Sequence, residues 1–190
     1  MEPVGWGRSC KARSPRLRRP DHEILAVRSD TSSPTAAKCR ESSMARRAML
    51  CFVPELSTAN AVTAVPAAAS NHALRHFEAL LAYETDCWDV HQALDLPDPG
   101  FVLLDVRSPE LFAAGHLPGA INLPHRRINQ RKLEPCGPDV LFVVYCAGPH
   151  CNGADKAAVR LAQLGRPVKK MIGGIEGWKD EGFSLETGLQ

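Results

Sequence analysis

The chain has 190 residues, is 44% hydrophobic and 23% charged, and carries a net charge of +2, the composition of an ordinary globular protein. These values exclude a fully disordered, collagen-like or disulfide-scaffold chain, and the longest apolar run, residues 140–147, has only eight residues against the roughly 18 that a membrane span needs. Seven cysteines, odd in number and unevenly spaced, argue against a closed disulfide framework and for reduced thiols in an intracellular, cytoplasmic protein, at least one of them able to react.

The charge is unevenly placed. Residues 1–50 carry 11 Lys and Arg against 5 Asp and Glu, whereas residues 51–190 carry 12 against 16. The basic excess therefore belongs to the N-terminal stretch, and it supports neither a nucleic-acid nor a membrane partner for the rest. Residues 1–70 interleave Arg8, Lys11, Arg13, Arg16, Arg18 and Arg19 with Pro3, Pro15 and Pro20, and hold no sustained period. Such a stretch buries too little apolar surface to offset its ordering entropy. It reads as a disordered or weakly structured basic extension ending in an Ala/Val/Pro-rich linker over residues 59–70. Two targeting readings compete with this one. A mitochondrial-type segment is disfavoured by Glu2, Asp21, Glu23, Asp30 and Glu41, and a secretory signal from Met44 by an apolar core of only six residues, 48–53. Met44 and Met49 are also possible starts of a shorter chain.

Residues 71–190 read as one domain. Ala73, Leu74, Phe77, Leu80 and Leu81 recur at helical spacing, and Trp88, Val90, His91, Ala93 and Leu94 predict a second short helix, stopped by Pro97 to Gly100. Residues 101–106 form a continuous apolar run with one acid, Asp105, near its end, the pattern of a buried parallel strand. Ser108 and Pro109 then start a helix as N-cap and first residue. Residues 120–123 and 140–145 predict two more strands, 153–164 a helix stopped by Gly165, 168–172 a further strand, and 175–181 a last helix after Gly173-Gly174. Strands alternating with helices specify an α/β fold with a mainly parallel sheet.

The chemistry concentrates where the strand 140–145 runs into Cys146-Ala147-Gly148-Pro149-His150-Cys151-Asn152-Gly153. In parallel α/β sheets ligands bind outside the carboxyl ends of strands. A helix starting there aims free N–H groups and its positive dipole end at the loop, which favours a thiolate and holds an anion beside it. A buried cysteine acting as a small hydrophobe is the alternative. The Gly/Pro loop and the helix start favour a nucleophile instead, and position singles out Cys146 rather than Cys151.

Four motifs in order resemble the single-domain rhodanese (rhodanese-like sulfurtransferase) family. They are Leu103-Leu104-Asp105-Val106-Arg107-Ser108-Pro109-Glu110-Leu111-Phe112, then Ala114-Gly115-His116-Leu117-Pro118-Gly119-Ala120-Ile121-Asn122-Leu123-Pro124, then Val143-Val144-Tyr145-Cys146, then Gly173-Gly174-Ile175-Glu176-Gly177-Trp178. The resemblance spans roughly residues 86–184. It implies a rhodanese-like domain, with a central, mainly parallel five-stranded sheet flanked by helices. It also implies transfer of a sulfane sulfur from a small anionic donor such as thiosulfate to a thiol or cyanide acceptor, through a persulfide on Cys146. Ala147, Gly148, Pro149, His150, Cys151, Asn152 and Gly153 would cradle the substrate, with Asp105, Arg107 and His116 in supporting roles. No cofactor or metal is implied; a zinc site built on Cys146, His150 and Cys151 would lack a fourth ligand.

The loop departs from the family pattern in carrying no Arg or Lys before Lys156, which leaves His150 as its only side chain able to become cationic near neutral pH. A phosphatase or arsenate-reductase chemistry, which needs an Arg clamp, is disfavoured for the same reason. Cys151 is either a resolving thiol for Cys146 or a spectator packed at the helix start. The alternative function is a rhodanese-like regulatory, persulfide-carrying or redox-sensing module using Cys146 and Cys151 without fast turnover. Trp178 reads as a core or rim aromatic rather than a stacking platform, and Arg126, Arg127, Arg131 and Lys132 as a solvated face or a docking patch. Cys10, Cys39, Cys51, Cys87 and Cys136 have no motif around them.

Overall fold

The computed structural model describes residues 60–188. The expectations for residues 1–59, including the basic extension, the targeting readings and Cys10, Cys39 and Cys51, lie outside the described residues. The described residues divide into two units, 60–68 and 69–188. The first is a turn in which the Asn60 side-chain oxygen accepts from the Val62 and Thr63 amides at 2.9 and 3.1 Å.

In the second unit the elements run α1 Ser70–Tyr83, β1 Glu84–Thr85, α2 Cys87–Leu94, β2 Phe101–Asp105, α3 Pro109–Ala114, β3 Ile121–Asn122, a 3-10 turn His125–Arg127, α4 Gln130–Leu133, β4 Leu141–Tyr145, α5 Gly153–Gln163, β5 Val168–Met171 and α6 Gly174–Asp180. The five strands form one sheet in the order β1-β5-β4-β2-β3, and every pairing is parallel. β2 and β4 lie at its centre, with Leu103 opposite Val143 and Asp105 opposite Tyr145.

Both central strands are apolar along nearly their whole length because both faces are covered. Successive strand side chains point to opposite faces. Val102, Leu104, Phe142 and Val144 meet Ala154, Ala157 and Leu161 of α5 on one side. Leu103, Val143 and Tyr145 meet Val90, Phe112, Ile175 and Trp178 on the other. Trp178 is fully buried and its indole N–H donates to the Ser184 carbonyl at 2.9 Å. Of the two places the sequence allows it, core or rim, Trp178 takes the core.

The helix caps follow the sequence. The Ser108 hydroxyl accepts from the Leu111 amide, and Gly165 takes a positive φ of 69° just past α5. Two features differ from expectation. α1 forms at its helical spacing, but none of its residues is buried, with Leu74 59%, Phe77 60% and Leu81 72% exposed. A periodic apolar stripe specifies the helix and not the surface it meets. β1, with only Glu and Thr, was not predicted as a strand; its pairing with β5 supplies the order.

A buried ion pair braces the end of β2. The Arg107 guanidinium meets Asp105 through Nε at 3.0 Å and Nη2 at 2.6 Å, and Nη2 also donates to the Gly115 carbonyl at 2.6 Å. Both side chains are buried. Burial alone would lower the Arg107 pKa, but the hydrogen bond and charge of Asp105 outweigh it and raise it above its ordinary value. Removing one member of a buried pair strands the other charge, which costs about 3–5 kcal/mol. Arg107→Ala is expected to lose that much in urea denaturation; a loss below about 1 kcal/mol would show that the pair does not brace the fold.

Candidate active site around Cys146

Cys146 sits one residue beyond β4, 7% exposed. The loop it opens is fixed from two sides. Its first two carbonyls, Cys146 and Ala147, accept from the Ile175 and Glu176 amides at the start of α6, both at 3.0 Å. A turn within the loop follows, with the Cys151 amide donating to the Gly148 carbonyl at 3.0 Å. Asn152 leads into α5, accepting from the Lys156 amide at 3.1 Å.

Two glycines make this packing possible. Gly174 has φ +62°, and a Cβ there would stand 2.6 Å from the Cys146 carbonyl oxygen and 2.9 Å from the Gly148 nitrogen. Gly153, the first residue of α5, lies against the sulfurs: a Cβ would stand 2.6 Å from Cys146 Sγ and 3.4 Å from Cys151 Sγ. No other residue type fits either place without displacing backbone or sulfur.

Cys146 and Cys151 are joined by a disulfide, with their Cα atoms 6.4 Å apart. This differs from the expectation of reduced thiols, and the cause is local: the turn closed by the Cys151 amide on the Gly148 carbonyl folds the loop back and brings Cys151 to Cys146. A cavity of about 210 Å³ opens at the pair, lined also by Gly148, Pro149, Asp155 and Lys170.

The predicted loop residues separate here. Gly148, Pro149 and Cys151 line the cavity and Gly153 touches the sulfurs. Ala147 packs against the core. His150 is exposed and is not among the cavity's lining residues. Asn152 faces a neighbouring groove instead, beside Arg126, Lys156 and Arg160. Asp105, Arg107 and His116 do not line the cavity. The His116 ring stacks on Phe112 with centroids 3.7 Å apart, and its Nδ1 is 2.9 Å from the Phe112 carbonyl. Asp105 and Arg107 tie the end of β2 to the turn after α3, and His116 folds back on α3 itself.

Two residues at the site were missed by sequence reasoning. Lys170, from β5, is the cation at the cavity. Its Nζ lies 3.0 Å from both Asp155 Oδ1 and Glu84 Oε1. Hydrogen bonds to Asp155 and then Glu84 raise its pKa further, against a smaller effect of burial, so it stays charged. The available signal was a lysine at the carboxyl end of a strand. Cys87 lies beneath the Gly173-Gly174 turn, its Sγ 3.4 Å from the Ile172 carbonyl and 3.7 Å from that of Gly174. Burial, helped by Asp86, Glu181 and Asp180, pushes this thiol up to about 11, so it stays protonated.

Comparison with known proteins agrees with this geometry. The model of the Rhodanese-like domain family matches residues 89–181. An HTH-type transcriptional regulator, Rv0324 of Mycobacterium tuberculosis, is 41% identical over 87 residues, 45% of this chain but only 38% of that protein. The thiosulfate sulfurtransferase GlpE of Ectopseudomonas mendocina is 33% identical over 97 residues, 50% of this chain and 85% of the relative. Among solved structures, the BH2092 protein of Bacillus halodurans superposes with a TM-score of 0.61 at 39% identity, covering 63% of this chain and 87% of that one. With the five-stranded parallel sheet and the matched motifs, these likenesses place residues 89–181 in a known fold, and the chain belongs to the rhodanese-like domain family.

Proposed function

We propose that the chain is a sulfurtransferase that carries a sulfane sulfur on Cys146. The observation that supports this most is the position of Cys146: the first residue past a central parallel strand, lining a cavity, with its sulfur beside the first residue of α5. A thiolate there faces the positive end of a helix dipole and the loop amides. Attack on the outer sulfur of thiosulfate forms a bond from Cys146 Sγ to that sulfur, breaks its bond to the inner sulfur, and releases sulfite. A thiol or cyanide then takes the sulfur from the persulfide. The acceptor is a small-molecule or protein thiol, and the cycle suits the thiol-rich cytoplasm.

The Cys146–Cys151 bond favours one other reading, a redox-sensing persulfide carrier without fast turnover. It would release sulfite once per protein and then stop in the presence of excess acceptor.

Reduced protein mixed with thiosulfate is expected to release sulfite and, in samples quenched at the earliest times, to carry an added mass of about 32 Da, that of one sulfur. Cys146→Ser should reduce both to background. If Cys146→Ser keeps both products and Cys151→Ser loses them, Cys146 is not the sulfur carrier.

The cavity also sets a charge preference. Lys170 faces two carboxylates, so the mouth offers a doubly negative donor no surplus of positive side-chain charge. Asp155→Asn should raise kcat/KM for thiosulfate roughly fivefold at low salt, as about 1 kcal/mol of charge interaction implies, with the gain shrinking as salt is added. A fall in kcat/KM would mean that Asp155 helps the reaction in another way.

A further inference from the structure

The sulfur-carrier reading leaves Cys151 without a task, and the following inference rests on that reading. Two observations bring Cys151 to the reacting atom. It is bonded to Cys146, and both sulfurs stand where a side chain at Gly153 would begin, 2.6 and 3.4 Å from the place of its Cβ. Both cysteines line one cavity. Cys151 is also half-buried where Cys146 is buried, so it is the one an outside thiol meets first. Cys87 cannot share this role, because its thiol is buried, engaged with the Ile172 and Gly174 carbonyls, and held protonated.

We propose that Cys151 is a resolving thiol that discharges the Cys146 persulfide within the loop and releases hydrosulfide. The Cys151 sulfur attacks Cys146 Sγ. The bond between Cys146 Sγ and the sulfane sulfur breaks, and the Cys146–Cys151 disulfide forms. The sulfane sulfur leaves with the electron pair of the broken bond and takes the proton of the Cys151 thiol. It is reduced to sulfide while the two cysteine sulfurs are oxidised to the disulfide, so two electrons move and the atoms balance. The loop returns to its dithiol form by exchange with an external dithiol. One thiol of that partner attacks the disulfide, and its second thiol clears the mixed disulfide. The partner implied for this branch, taken when no acceptor draws the sulfur, is therefore a dithiol reductant, and its product is hydrosulfide.

The test uses the full chain, reduced and then freed of reductant, with about one equivalent of thiosulfate and no added thiol. Sulfite, sulfide and intact mass are followed together. The wild-type chain is expected to release nearly one sulfide for each sulfite. Its final mass should be about 2 Da below the reduced protein, with the disulfide mapped by non-reducing digestion to Cys146 and Cys151. In Cys151→Ser and Cys151→Ala, whatever their rate of loading, the sulfide-to-sulfite ratio should fall to near zero and the added mass of about 32 Da should persist. Sulfite without sulfide from the wild-type chain, or a Cys146 disulfide to another cysteine, overturns the resolving role and leaves the sulfur carrier standing. No sulfite from any of the three proteins overturns the carrier reading, and the resolving role with it.

Discussion

The geometry at Cys146 depends on the contact of one loop with one helix end across a residue that has no side chain. The carbonyls of Cys146 and Ala147 dock on the amides of Ile175 and Glu176. The backbones approach so closely at Gly174 that a Cβ would overlap the Cys146 carbonyl. A helix start carries amides with no partner inside the helix. Here α6 spends two of them on the loop that leads to α5. The loop carbonyls are thereby turned toward α6. Beneath this contact, the Gly173-Gly174 turn rests on the Cys87 sulfur. The sheet and α6 thus hold the start of the loop rigidly.

Charge is arranged by the same economy. The shortest ion pair among the described residues, Asp105 with Arg107, is buried and stands away from the cavity, where it ties β2 to the turn at Gly115. The cation at the cavity, Lys170, is shared between Glu84 of β1 and Asp155 of α5. It therefore links the edge strand, the neighbouring strand and the helix that receives the loop. Its charge serves that linkage first. Any attraction of the site for an anion falls to the helix dipole and the loop amides, which act at short range and are weakened by water.

How much was legible in the sequence follows from which signals are local. β2 and β4 are continuous apolar runs and the Ser108-Pro109 start is a local cap, so both were readable; so was Cys146, whose place between strand and helix is set by its neighbours in the chain. β1 was not, because a two-residue strand of Glu and Thr carries no pattern of its own and exists through its pairing with β5. Lys170 was missed because its partners come from β1 and α5, and only the strand order brings them together. His150 stands out in the sequence as the one loop side chain able to become cationic near neutral pH, but its place relative to the cavity is set by the turn at Gly148, which leaves it exposed and outside the lining. α1 shows the same limit from the other side: its period is local, whereas burial of its stripe requires a partner surface that no period encodes.

The closeness of Cys146 and Cys151 in the chain bears on what their bond can be for. In the chain-entropy account a disulfide stabilises in proportion to the logarithm of the loop it closes. With a separation of five residues, that contribution is about 2 kcal/mol, near the low end for disulfides. The fold does not need it, since the sheet is buried on both faces by α5 on one side and by Phe112, Ile175 and Trp178 on the other. The contacts that hold the loop start are backbone hydrogen bonds to α6, which do not involve either sulfur. Making and breaking the bond therefore changes the chemistry available at Cys146 while leaving its position fixed. A bond that can be cycled at small cost to the fold, beside a cavity open to solvent, has the properties of a step in a reaction rather than of a structural staple.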